Sequence, residues 1–162
     1  MDKYSYFLLK FLWSLRNHFR QIEAFSFSTS LVRITEFIDD ADAAIALSKI
    51  SQNVRHFSSG TKIGACLEQF NDQYAKRYLN GKTLTIVMSD GLDTGPMELL
   101  EEQITKLRRK SSKLVWLNPL KGMSGYQPIQ EGIKTVLPVV DIFESAHNFK
   151  SLLKLEKILI DA

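Results

Sequence analysis

Apolar positions along this chain recur at two spacings, and the change from one to the other lays out the elements. Tyr4, Leu8, Phe11, Leu12 and Leu15 fall at helical spacing, which predicts a helix over residues 3–16. Phe19, Ile22, Phe25 and Phe27, then Leu31, Val32 and Ile34, form two short apolar runs separated by the turn residues Ser28-Thr29-Ser30, the pattern of an antiparallel hairpin. Asp39, Asp40 and Asp42 place negative charge at the start of a helix over about 42–54, with Ala44, Ile45, Leu47 and Ile50 inward. After Ser58-Ser59-Gly60-Thr61 breaks the pattern, Ile63, Leu67, Phe70 and Tyr74 mark a helix over 62–79 that ends at Gly81.

Leu84-Thr85-Ile86-Val87-Met88 is apolar without strict alternation, as expected of a strand covered on both faces. Pro96 suits the first turn of the next helix, 96–110, where Glu98, Glu101 and Glu102 lie early and Arg108, Arg109 and Lys110 late, both complementing the helix dipole. Lys113–Leu117 reads as a strand stopped by Asn118-Pro119, Pro128–Val136 as a short helix after a loop with Gly122 and Gly125, and Val139–Phe143 as a last strand. Asn148 is placed to cap a final helix containing Phe149, Leu152, Leu153 and Leu155. Helices alternating with strands predict an α/β fold: a doubly wound, mostly parallel sheet between two helix layers, with ligands at the carboxyl ends of the strands.

Composition narrows the class. No repeat, linker or low-complexity tract interrupts the 162 residues, which therefore read as a single domain over 1–162. A net charge of +3 is too small to imply nucleic acid. A single cysteine excludes a disulfide framework and a multi-cysteine zinc site. The apolar stretch Tyr4–Trp13 is broken by Lys10, too short for a membrane span and poor as a signal peptide, so a cytoplasmic location is expected.

Chemistry concentrates at two loops. Ser89-Asp90-Gly91-Leu92-Asp93 follows a strand, where a carboxylate faces the ligand crevice of an open α/β sheet. Ser58-Ser59-Gly60-Thr61 brings hydroxyls and the amides of a helix N-terminus. Carboxylate and hydroxyl oxygens suit a hard cation such as Mg²⁺, while the plainer reading has Thr61 capping its helix and Asp90 turning its loop. Cys66 lies on the apolar side of its helix and reads as a buried small hydrophobe, Trp116 as core, and Lys106–Lys113 as a solvated helix end. His18, His56 and His147 lack metal-ligand spacing. No Gly-x-Gly-x-x-Gly or Gly-x4-Gly-Lys-Ser/Thr loop provides a phosphate cradle.

Ser59-Gly60-Thr61-Lys62-Ile63-Gly64, Ser89-Asp90-Gly91-Leu92-Asp93, Trp116-Leu117-Asn118-Pro119 and Ala146-His147-Asn148, in that order, resemble the von Willebrand factor A-like domain of CoxE-like proteins. The resemblance runs along essentially the whole chain. It implies a three-layer α/β/α domain and a non-enzymatic protein-interaction module. It also implies an accessory role with a MoxR-type AAA+ ATPase in maturation of a molybdenum hydroxylase of the carbon monoxide dehydrogenase type. The family's metal-ion-dependent adhesion site carries over onto Thr61 and Asp90, with Asp93 as a further, water-mediated contact. Its Asp-x-Ser-x-Ser segment has no counterpart here, and Met1 takes the place of a methionine that ends it in the family. The expectations are therefore a domain lacking its first, central strand, weak or absent Mg²⁺ binding, and self-association through open strand edges. Two alternatives stand beside this: a small metal-dependent hydrolase using Asp90 and Asp93 with a further carboxylate such as Asp141, and a nonfunctional gene fragment.

Overall fold

The computed structural model describes residues 10–16, 18–38, 43–53, 60–148, and 150, 151, 153, 155 and 157. The expectations for Met1–Leu9, Asp39, Asp40, Asp42, Ser58, Ser59, Phe149 and Leu152 lie outside these residues. In chain order the elements are helix α1 (10–16), strands β1 (Phe25–Phe27) and β2 (Leu31–Arg33), and helices α2 (Ala43–Asn53), α3 (Ile63–Gln73) and α4 (Ala75–Tyr78). Strand β3 (Leu84–Met88), helix α5 (Met97–Lys110), strand β4 (Lys113–Asn118), helix α6 (Glu131–Val136) and strand β5 (Ile142–Ser145) follow. The described residues from 150 to 157 are helical (α7).

Strands β3, β4 and β5 form a parallel sheet in that order, with Val87 opposite Trp116 and Trp116 opposite Phe143. β4 is central, and Leu114, Val115, Trp116 and Leu117 are all fully buried. Its side chains alternate between two layers. Leu114 and Trp116 pack with Ile63 and Leu67 of α3, Leu100, Ile104 and Leu107 of α5, and Ile133 and Val136 of α6. Val115 and Leu117 pack on the opposite face with Phe11 and Leu15 of α1 and Leu155 of α7. A strand covered on both faces has no polar side to alternate with, which explains the continuous apolar runs. Burying each such leucine or isoleucine stabilises the fold by roughly 1.5–3 kcal/mol, so these two layers outweigh the exposed ion pairs on α5 and α6.

The hairpin is a separate two-stranded sheet, with Phe27 opposite Leu31. Its first strand is shorter than the predicted run from residue 19. The Thr35 hydroxyl accepts from Ala24 N at 3.0 Å and so replaces the next ladder partner. Glu23 accepts from Arg33 Nε at 2.9 Å and from Thr35 Oγ1 at 2.8 Å. Burial acts to raise the Glu23 pKa, but the bonds from Thr35, Gln21 and Arg33 together hold it below its ordinary value.

The single helix predicted over 62–79 is broken at Tyr74, whose backbone (φ −121°) leaves the helical range. Its ring packs 4.9 Å from Phe25, and Phe70, Tyr74 and Tyr78 stack in a ladder over that phenylalanine. Pro96 sits at the N-cap of α5, one residue before the helix. The last strand begins three residues later than predicted, at Ile142, because Val139 and Val140 pack in the turn after α6. Asp141 then joins the start of β4: its N–H donates to Leu114 O at 2.9 Å and its Oδ2 accepts from Leu114 N at 2.7 Å. Among the described residues no helix is long and apolar enough to cross a membrane.

Candidate functional site

Three loops meet at the carboxyl ends of β3 and β4: residues 60–62, 89–96 and 119–130. Ser89 extends the ladder, its N–H donating to Leu117 O at 3.0 Å while its carbonyl accepts from Trp116 Nε1 at 3.0 Å. Asp90 then turns the chain, because its Oδ1 accepts from Leu92 N at 3.0 Å. Gly91 is required on two counts. It has φ +80°, and a Cβ there would stand 2.4 Å from the Ile133 side chain. On the other side a Cβ at Gly132 would stand 2.3 Å from Gly91 O. Two glycines thus let the Asp90 loop lie directly on α6.

Asp93 has a different task. Its Oδ1 accepts from Ile63 N at 3.1 Å and Gly95 N at 2.8 Å, and its Oδ2 accepts from Gly64 N at 3.1 Å. Lys62, the residue before α3, supplies no side-chain cap. A carboxylate from another loop therefore satisfies the orphan amides of α3 and complements its dipole. Thr94 completes the lacing: its N–H and its hydroxyl both donate to Thr61 O, at 2.9 and 3.0 Å. The expectation that Thr61 caps α3 is corrected, since Asp93 does so, whereas the turn at Asp90 is as expected.

Asn118 ties the second loop to the first. It is fully buried at the end of β4. Its Oδ1 accepts from Leu120 N at 2.7 Å and Lys121 N at 3.2 Å, and its Nδ2 donates to Asp90 O at 3.4 Å and Tyr126 Oη at 2.9 Å. Burial pushes the Tyr126 phenol above its ordinary range, and the Asp90 charge adds to that, with the Asn118 bond opposing. Tyr126 was not foreseen. Its signal was the Asn-Pro pair ending a buried strand, because a buried amide needs partners and the following loop must supply them.

Mg²⁺ demands near-octahedral coordination by six oxygens. The described residues bring Thr61 and Asp93 together, with Asp90 on the same loop as Asp93. Both Asp93 oxygens are engaged by amides, which, of the three predicted site residues, leaves the Thr61 hydroxyl and Asp90 Oδ2 as donors. Among the described residues no group of three His, Cys, Asp or Glu is placed to hold a metal ion. This donor set does not fit an Mg²⁺ cage. The hydrolase alternative fares no better: Asp141 lies at the amino end of the sheet, opposite Asp90, and pairs with Arg108 at 2.7 Å.

Cys66 is buried, as expected, and burial pushes its thiol up to about 11. Trp116 is core. In the basic run, Arg108 departs from a merely solvated helix end by anchoring α5 to Asp141 and to Ser111 O. His147 is held between Ser145 Oγ, 2.9 Å from Nδ1, and Asn148 Nδ2, 2.8 Å from Nε2. Around the laced loops, Leu92, Met123 and Ile129 are exposed.

The family described as VWA domain containing CoxE-like protein matches residues 1–152. The chain belongs to that family. This von Willebrand factor A domain also resembles a solved structure, proximal thread matrix protein 1 from the mussel byssus. The TM-score is 0.63 at 16% identity, covering 99% of this chain and 42% of that one, a likeness of fold. No curated protein matches the chain.

Proposed function

We propose that this CoxE-like domain is a non-catalytic interaction module whose partner docks on the loops at the carboxyl ends of β3 and β4. The observation that carries this reading is the laced Asp90 loop ringed by exposed Leu92, Met123 and Ile129, because a rigid loop set with apolar tips suits docking. Family context supplies the partners: a MoxR-type AAA+ ATPase and a molybdenum hydroxylase client, in the cytoplasm. Among the described residues, Thr61 and Asp90 are the site donors left over; on this reading the chain binds Mg²⁺ weakly or not at all, and docking proceeds without a resident ion. The edge of β3 turned away from β4 has no strand partner among the described residues, and it is the place where a second copy would add.

An immobilised, purified MoxR-type ATPase is the direct test. It should retain the full chain, and Leu92→Asp or Ile129→Asp should weaken retention at least tenfold. Absent binding, or binding indifferent to both substitutions, overturns the reading. Isothermal titration with Mg²⁺ or Mn²⁺ checks the metal separately: submillimolar binding abolished by Asp90→Ala would restore a metal-bridged contact.

A further inference from the structure

The hydrogen bonds between the Asp90 loop and α7 run through His147 and all point one way. Ser151 N–H donates to Asn148 Oδ1 at 2.9 Å, which makes Asn148 the cap of α7 and fixes the orientation of its amide. The Asn148 NH₂ group therefore faces His147 Nε2 at 2.8 Å, and since it can only donate, Nε2 carries no proton. On the other side of the ring, the single proton of Ser145 Oγ goes to Lys121 O, a carbonyl that can only accept. Ser145 Oγ must then accept from His147 Nδ1 at 2.9 Å, so the ring proton sits on Nδ1. Lys121 N–H donates to Asn118 Oδ1, and Asn118 Nδ2 donates to Asp90 O and Tyr126 Oη.

We infer that His147 is a pH-operated latch, whose protonation at Nε2 sets two donors face to face and, because the ring contact and the cap share one planar amide, forces Asn148 to release the first turn of α7. If the amide rotates to offer Oδ1 to the imidazolium, its NH₂ group meets Ser151 N–H and the cap is lost. If it swings away, the cap is lost as well. The ring lies close against Gly122, where a side chain would collide with it: a Cβ there would stand only 2.7 Å from Nδ1. Among the described residues, the charged side chains on the segments that hold it are Lys121 and Glu144, whose Nζ and Oε2 are 3.7 Å apart, and Lys150 in the first turn of α7. Loosening α7 disturbs Leu155, which closes the layer formed with Phe11 and Leu15. In the other direction the chain ends at Asp90, so the latch also sets the loop. Its bearing on docking rests on the function proposed above, while the latch itself needs no partner.

Ring ¹⁵N spectra of the full chain at pH 7.5 should show the Nδ1–H form of His147. Amide-exchange protection of α7, normalised to α5, should fall about fivefold between pH 7.5 and 5.0, the usual worth of one cap. The Asp90 and Gly91 amide shifts should move with the same midpoint. Asn148→Asp should abolish the fall, because a carboxylate accepts from Ser151 N–H and from the imidazolium together. An Nε2–H ring at pH 7.5, α7 protection that tracks α5, or a fall that survives Asn148→Asp overturns the latch. Static Asp90 and Gly91 shifts overturn its reach to that loop. None of these readouts involves the ATPase, so failure of the latch and failure of docking are told apart.

Discussion

Asp93 accepts from three backbone amides across two loops, and this sets what its loss does. Asp93→Ala should lower stability by about 2 kcal/mol, read as a shift of the urea midpoint at unchanged slope, because it leaves the first turn of α3 without its acceptor. Asp93→Asn, which keeps one acceptor oxygen, should lose less. Cys66 offers a second residue-level check. With its thiol pushed up to about 11 by burial, it should resist iodoacetamide at neutral pH in the folded chain and react at once in 6 M urea. Both residues show how the site was legible in part. The sequence marks Asp93 as a carboxylate in the loop after a strand, but nothing local says that two of its partners, Ile63 N and Gly64 N, lie 30 and 29 residues upstream. Asp90 was readable because an Asx turn is a contact within two residues.

Elements were legible where one period dominated, and their ends were not. The amphipathic stripe of α5 and the apolar run of β3 stand almost as the pattern places them. The break at Tyr74 and the late start of β5 come from packing, against a phenylalanine from the hairpin in one case and of Val139 and Val140 in the turn after α6 in the other. The packing of the Asp90 loop on α6 depends on such a contact too. Gly132→Ala should destabilise by about 1–3 kcal/mol through the clash with Gly91 O alone, since that glycine has an ordinary backbone. Gly81→Ala is the matching control: it has open space but φ +74°, so it should cost about 1 kcal/mol from backbone strain only. Thermal melts of the pair separate the two causes.

At the scale of the whole molecule, the three layers follow from β4, whose alternate side chains feed both cores. That much was readable from alternating helices and strands. The separation of the hairpin from the parallel sheet was not, because strand pairing between distant segments leaves no periodic trace in either one. The continuous unit β3–α5–β4–α6–β5 spans residues 84–145, whereas the hairpin reaches it through α3, as in the bond from Lys62 N to Ser28 O. Sequence-near contacts close small loops and form early, so the parallel unit should dominate the folding transition state and the hairpin should dock afterwards. Stopped-flow chevrons give the check: Ile104→Val should slow folding, and Val32→Ala should leave folding unchanged and speed unfolding. The lifetime of the native state would then be governed by how long the hairpin stays on, which makes Phe25 and its tyrosine ladder the kinetic clasp of the domain.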